Sequence, residues 1–300
     1  MYAAIDIGSN TLRMLLADKR DGTILPFQYY REITRLAGDF SPHTGLGAAS
    51  MQRALVTLGS FHKIISVQEI TQIRAVGTAA LRNANNRQVF IDNVFAATNL
   101  QIEVIKGEEE AELTTLGVLS VIKPAPESVI VIDIGGGSTE LICVVNGRIR
   151  LQKSYPLGVV SLCEEYNSDQ QRQQQIDAVF VQFTESLKQV GLADRIYQLI
   201  GTAGTITTLA AIHLQLNKYN SSLINNHEIS IGWLLDLQEK LELISISERE
   251  ALIGMEKGRG DLILPGLQIL LSLMRRFQFS RIKVSDSGLL EGVMLRLTGS

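Results

Sequence analysis

The chain has 300 residues, 45% of them hydrophobic and 20% charged, with a net charge of −3 and a pI near 5.9. That length and apolar content allow substantial cores, with two domains as the first expectation, and the mild acidity excludes a global positive field able to recruit DNA or an anionic membrane. Cys143 and Cys163 are too few for a disulfide framework or a cysteine zinc site, and Asp6 interrupts the first apolar run while no run approaches the ~18 residues of a membrane span, so a cytoplasmic protein is expected.

The first half opens with three apolar runs, Tyr2 to Ile7, Leu12 to Ala17 and Ile24 to Tyr30. They are separated by Asp6-Ile7-Gly8-Ser9-Asn10-Thr11 and by the turn signal Lys19-Arg20-Asp21-Gly22, which predicts a three-stranded meander. Ala48 to Ile65 then reads as a helix, Ile70 to Val76 as a strand, Arg87 to Ala97 as a helix, Ile102 to Ile105 as a strand and Glu108 to Val121 as a helix. The predicted order is βββαβαβα. Lys123-Pro124-Ala125-Pro126-Glu127-Ser128 follows, and its two prolines without apolar periodicity mark a linker.

The second half repeats the opening. Val129 to Asp133, Leu141 to Val145 and Arg148 to Tyr155 read as strands, the last two joined by Asn146-Gly147, a strong hairpin signal. Gln170 to Val190 carries Ile176, Val179, Phe180, Phe183, Leu187 and Val190 at helical spacing, a core-facing stripe. A strand at Tyr197 to Ile200 leads into a helix from Ile206; Trp233 to Leu243, Leu262 to Phe277 and Leu289 to Leu297 read as helices, and Ile282 to Val284 as a short strand.

The duplication is more than one motif deep. Ala4-Ile5-Asp6-Ile7-Gly8-Ser9-Asn10-Thr11 returns as Ile132-Asp133-Ile134-Gly135-Gly136-Gly137-Ser138-Thr139, Asp133 following Asp6 by 127 residues. Val76-Gly77-Thr78-Ala79 returns as Ile200-Gly201-Thr202-Ala203, with Gly201 following Gly77 by 124. Two ordered matches at nearly one offset predict two similar halves with a ligand cleft between them.

Glycine turns after strands suit phosphate, because the backbone can approach closely and aim N–H groups at an anion. Gly135, Gly136, Gly137, Ser138 and Thr139 offer such donors and two hydroxyls, and a third glycine loop, Gly201 to Gly204, adds to this reading. Asp6 and Asp133 each end a strand. Beside bound phosphates such acids require a cation, for which magnesium is the natural choice, with Glu140 near enough to share it; the structural alternative is that each Asp accepts hydrogen bonds from its own loop. Glu108, Glu109 and Glu110 open a helix, where acids complement the macrodipole, yet a buried glutamate there could instead act as general base; spacing does not choose among the three. Arg13, Arg82 and Arg259 could clamp phosphate oxygens. His43, His62, His213 and His227 share no metal-ligand spacing and read as structural, and the absence of GxSxG and GxxxxGK[ST] argues against serine hydrolases and P-loop nucleotidases.

Six motifs in order, DIGSNT, GTAALR, GEEEAEL, DIGGGSTEL, GTAGT and RGDLILPG, resemble the exopolyphosphatase and guanosine pentaphosphate phosphohydrolase family of the actin-like, sugar-kinase and Hsp70 ATPase superfamily. The resemblance spans nearly the whole chain. It implies an α/β fold of two ribonuclease-H-like (actin-like ATPase) domains with an interdomain cleft; the linker at Pro124 and Pro126 divides them into residues 1–123 and 124–300, with the last helix, 288–298, free to pack back on the first domain. It implies Mg-dependent hydrolysis of terminal phosphoanhydride bonds, with polyphosphate or guanosine pentaphosphate as substrate; the net charge and the short apolar runs argue against DNA and membrane partners, and a homodimer stays open.

Carried over residue by residue, the catalytic glutamate preceding alanine becomes Glu110, and the arginine of GTxxxR becomes Arg82. Asp133, Glu140 and Asp6 take the metal roles. Ser9, Asn10 and Arg13 would meet substrate from the first loop, Gly135, Gly136, Gly137, Ser138 and Thr139 from the second, and Gly201 and Gly204 from the third. Two departures stand out. Where the family commonly reads G-L-R-E-G, this chain has Gly288-Leu289-Leu290-Glu291-Gly292, and the resemblance is to the two core domains, so the further helical region of longer members is not expected to contribute to the site. Two rival readings keep the same fold: a non-catalytic sensor of guanosine tetra- or pentaphosphate, and an actin-like or kinase-like ATPase.

Overall fold

The structure, a computed structural model, describes residues 1–20, 23–166 and 168–299. Asp21 and Gly22 of the expected second turn lie outside the described residues. The first elements are β1 (Tyr2–Ile7), β2 (Thr11–Arg20), β3 (Thr23–Ile33), α1 (Ala48–Ser66), β4 (Gln72–Gly77), α2 (Ala79–Asn83), α3 (Arg87–Thr98), β5 (Ile102–Val104) and α4 (Gly107–Val121). Then come β6 (Ser128–Ile134), β7 (Thr139–Val145), β8 (Arg148–Tyr155), α5 (Val159–Glu165), α6 (Asp169–Gln189), β9 (Gln198–Thr202), α7 (Ala203–His213) and α8 (Ser221–Ile224). The chain closes with β10 (Glu228–Ser230), α9 (Ile231–Leu243), α10 (Ile246–Glu250), α11 (Ile263–Arg276), β11 (Arg281–Val284) and α12 (Leu289–Leu297).

Two compact units result: Met1–Gly117 together with the chain from Gly288 onward, and Val118–Ser287. Residues 118–123 thus group with the second unit and α12 with the first. The first unit holds a five-stranded sheet in the order β3-β2-β1-β4-β5, and the second a six-stranded sheet in the order β10-β11-β9-β6-β7-β8. In each, an antiparallel meander (β1–β2–β3, β6–β7–β8) is followed by a parallel partner of its first strand, β4 or β9. The sequence repeat is therefore a repeat of topology.

Strand β1 is central and apolar on both sides. Ala3, Ile5 and Ile7 join the core with Leu58 and Phe61 of α1 and Phe90 and Val94 of α3, whereas Ala4 joins Leu290 and Val293 of α12. By strand alternation Asp6 shares the face of Ala4. The apolar face of α12 explains its place in the first unit. It meets α4 through backbone: a Cβ on Gly292 would lie 1.8 Å from the Leu113 carbonyl oxygen, and one on Gly117 would lie 1.9 Å from that of Gly288. Glu291 caps its own helix by accepting from the Gly288 amide at 2.7 Å, and Lys19 of β2 donates to the Thr298 carbonyl at 2.5 Å. Among the described residues no helix is long and apolar enough to cross a membrane.

In the second unit, Ile176, Phe180, Phe183 and Leu187 of α6 pack in one core with Leu267, Leu270 and Met274 of α11, as the stripe predicted. The Asn146-Gly147 turn has both residues at positive φ, 52° and 71°, the mirror-image turn that suits a tight hairpin.

Candidate active site

The duplicated loops fold alike. Gly8 donates to the Thr11 carbonyl at 3.1 Å, and Gly135 to the Ser138 carbonyl at 2.9 Å. A Cβ would lie 2.9 Å from that oxygen at Gly8 and 3.1 Å at Gly135, so the tight turn favours glycine at both.

Neighbouring backbone holds each loop by its carbonyls. In the first unit the Ser9 carbonyl accepts from the Ala37 amide at 2.8 Å, and that of Asn10 from Thr34 at 3.0 Å and Arg35 at 2.9 Å. In the second, Gly135 accepts from Val159 at 3.0 Å and Gly136 from Val160 at 2.8 Å. A trans peptide points its N–H opposite to its C=O, so these bonds turn the amides of Asn10, Gly136 and Gly137 away from the supporting segments. Among the described residues the amides of Ser9, Asn10, Gly136, Gly137 and Ser138 enter no hydrogen bond. Each loop thus keeps N–H donors for an anion. Thr139 differs from its neighbours: its hydroxyl donates to the Leu157 carbonyl and its side chain is fully buried.

The acids heading the loops have opposite surroundings. Asp6 stands in register with Arg13, whose Nε and Nη2 donate to Oδ2 at 2.9 and 2.5 Å. Burial works against the Arg13 charge, but Asp6, with Tyr29 and Glu291, outweighs it and holds the guanidinium above its usual range. The other carboxylate oxygen, Oδ1, is buried without a partner, as is Oδ1 of Asn10. Asp133, by contrast, stands in register with Glu140, which is buried and accepts from the Ser154 hydroxyl at 2.7 Å. Directly opposed like charges are unfavourable, and a shared cation relieves them. The donor set is all oxygen, which fits a hard divalent ion. No cluster of three or more histidine, cysteine or acidic side chains able to hold a metal exists among the described residues. Two carboxylates completed by water and phosphate oxygens are the magnesium pattern, so the residues fit that ion.

Glu108, Glu109 and Glu110 meet three environments. Glu108 is exposed, Glu109 accepts from Arg74 Nη2 at 2.6 Å, and Glu110 is 7% exposed and accepts from Arg82 Nη1 at 2.8 Å. Arg82, on α2, also donates to the Ile105 carbonyl at 3.2 Å, which fixes its head at the entrance of α4. Burial selects Glu110 where spacing could not.

At the third loop a Cβ on Gly201 would lie 2.5 Å from Ile282 Cδ1 and 2.9 Å from Ile206 Cγ2, and Gly77 meets Leu81 Cδ1 at 2.5 Å in the same way. Close strand-to-helix packing thus accounts for both glycines. Between Gly201 and Gly204, Ala203 sits at φ +67°, a left-handed conformation that costs about 1 kcal/mol for a residue with a Cβ. Arg259 is buried against Glu256. Leu290, where the family pattern has arginine, is wholly buried against Ala4 and Leu15.

Several residues escaped the motif reading. Arg31 stands opposite Arg13 on β3, extending the row Asp6–Arg13. Gly158 is packed so closely on the second loop that a Cβ would lie 2.2 Å from the Gly136 oxygen. Arg53 and Ser50 of α1 brace the segment holding the first loop. The Gly158 signal was a bare glycine after a strand; the others carried none.

Residues 15–300 match the Ppx/GppA phosphatase family. The chain belongs to this family. Exopolyphosphatase 2 of Mycobacterium tuberculosis is 30% identical over 317 residues, covering 99% of this chain and 98% of that protein. Guanosine-5'-triphosphate,3'-diphosphate pyrophosphatase of Vibrio parahaemolyticus is 28% identical over 99% of this chain but only 59% of its own length. The bifunctional 3-dehydroquinate synthase/phosphatase of Fusobacterium nucleatum is 30% identical over 98% of this chain and 46% of its own length. This chain therefore spans about half to three-fifths of two of these relatives and nearly all of the third. The crystal structure of an exopolyphosphatase from Cytophaga hutchinsonii superposes with a TM-score of 0.90 at 27% identity, covering 99% of this chain and 98% of that one. The Ppx/GppA resemblance and the two-sheet α/β fold expected from sequence are both borne out.

Proposed function

We propose that this Ppx/GppA family member is a Mg²⁺-dependent hydrolase that releases terminal orthophosphate from inorganic polyphosphate or guanosine pentaphosphate. The pair formed by the buried Glu110 and the half-buried Arg82 carries the reading. A carboxylate held out of bulk water on the first turn of α4, with one oxygen on a guanidinium, is equipped to orient a water and take its proton. The Arg82 contact fixes the carboxylate's direction, and orientation is what a loose phosphoryl-transfer transition state chiefly asks of it. As the water oxygen bonds to phosphorus, the anhydride P–O bond breaks and the electron pair leaves with the shortened chain.

The amides of Ser9, Asn10, Gly136, Gly137 and Ser138 are preset donors for phosphate oxygens, and donors fixed before reaction need no reorganisation during it. Asp133 and Glu140 would hold the magnesium. When bound, the ion would neutralise phosphate charge and relieve the Asp133–Glu140 repulsion. Arg13 is engaged by Asp6 and serves chiefly to orient it.

A magnesium titration of orthophosphate release tests this reading. Glu140→Gln should raise the half-saturating Mg²⁺ concentration by roughly tenfold or more, since metal sites lose about that much affinity when a supporting carboxylate is removed. An unchanged titration contradicts the metal assignment.

A further inference from the structure

We infer that Arg53, on the exposed side of α1, is a positioning residue that sets the phosphate-facing geometry of the first loop; this rests on the reading of that loop as a phosphate binder. The connection runs through two layers of backbone. The segment Thr34–Gly38 lends the amides of Thr34, Arg35 and Ala37 to the carbonyls of Asn10 and Ser9, and thereby turns the Asn10 N–H away from the segment. That segment is not part of a helix or strand beyond Ile33, and Arg35 within it sits at φ +48°. Its own carbonyls need holding. Arg53 Nε donates to the Thr34 carbonyl at 2.9 Å and Nη2 reaches the Arg35 carbonyl at 3.4 Å. The same Nη2 donates to the Ser50 hydroxyl at 2.8 Å, and that hydroxyl, fully buried, donates to the Gly38 carbonyl at 2.7 Å. One guanidinium thus grips both ends of the five-residue segment.

The fork matters more than the charge. Arg53 has no acidic partner in these contacts; it uses donors in two directions on neutral carbonyls, which a lysine ammonium on a flexible stem does not reproduce. Loss of the grip frees the segment and then the loop amides, which bind phosphate in ground and transition states alike. The effect should fall on substrate capture.

Three variants, Arg53→Met, Arg53→Lys and Ser50→Ala, would be compared for phosphate release at saturating Mg²⁺, with thermal melts to confirm folding. The expected result is a KM raised roughly tenfold in Arg53→Met, about the value of one charge-assisted hydrogen bond, with kcat within about twofold, no rescue by Arg53→Lys, and a smaller shift of the same kind in Ser50→Ala. An unchanged KM in folded Arg53→Met overturns the inference. Full rescue by lysine also overturns it, in favour of a charge contact with substrate. Hydrogen exchange separates this inference from the hydrolase reading, since it needs no activity. Faster exchange at the amides of Thr34, Arg35 and Ala37 in Arg53→Met supports the grip even if no substrate is hydrolysed, and unchanged exchange refutes it.

Discussion

Asp6 faces Arg13, and Asp133 faces Glu140, although the two acids occupy matching places in duplicated loops. One substitution across a strand pair gives the copies different chemistry: the first neutralises its own acid, and the second gathers charge that calls for a cation. A second residue pair, outside both loops, makes a pH prediction. His213 Nδ1 and His227 Nε2 lie 2.7 Å apart, and the His213 ring meets the only tryptophan, Trp233, edge-on at 4.5 Å between centroids. Burial pushes both imidazoles below their usual range, and at His227 the neighbouring His213 adds to this while Glu228 partly offsets it. The folded unit therefore holds fewer protons than the unfolded chain, and its stability falls as pH drops below about 6.5, the unfolded value. A proton on both rings would also break the bond between them. Trp233 emission should fall between pH 7 and 5 in the native protein, and His213→Gln should remove that titration. Persistence of the same titration in the variant would contradict the account.

At the scale of elements, the glycine crossing of α12 on α4 supports the helix that presents Glu110. Gly292 leaves no room for a Cβ against the Leu113 carbonyl, a backbone atom that cannot rotate aside. Gly292→Ala should therefore cost about 1–3 kcal/mol, read as a lower urea midpoint, and should slow phosphate release by disturbing α4. An unchanged midpoint would show the crossing to be looser than drawn. This contact also marks what the sequence leaves unsaid. The long helices and meanders were legible because apolar periodicity over ten or more residues is unambiguous, as in α6. The short elements α2, α5, α8, β10 and α10 were not: helices of four to seven residues complete at most two turns, and β10 has a single apolar residue, whereas the equally short β5 and β11 were read from their β-branched apolar residues. Gly288 and Gly292 were noticed for the arginine missing between them, while their packing is made by backbone and leaves no compositional trace. Glu110 was named through family likeness; its burial, which separates it from Glu108 and Glu109, depends on the Arg82 contact from another helix.

For the whole molecule, repetition carries the argument. Two loops with the same Gly-to-hydroxyl-residue hydrogen bond lie in two sheets that share the order of their first four strands, β3-β2-β1-β4 and β8-β7-β6-β9, and the chain has the fold of Ppx/GppA structures. The proposed function then rests on what the copies do not share: Glu110 and Arg82 belong to the first unit, and the Asp133–Glu140 pair to the second. The most direct test is orthophosphate release with Mg²⁺ from short polyphosphate, long polyphosphate, guanosine pentaphosphate and ATP, by the native protein and by Glu110→Gln. The account predicts release from polyphosphate or guanosine pentaphosphate, falling at least ~100-fold in the variant while substrate binding is kept. A variant as fast as the native protein would contradict it, and so would a native protein that binds guanosine polyphosphate and releases nothing.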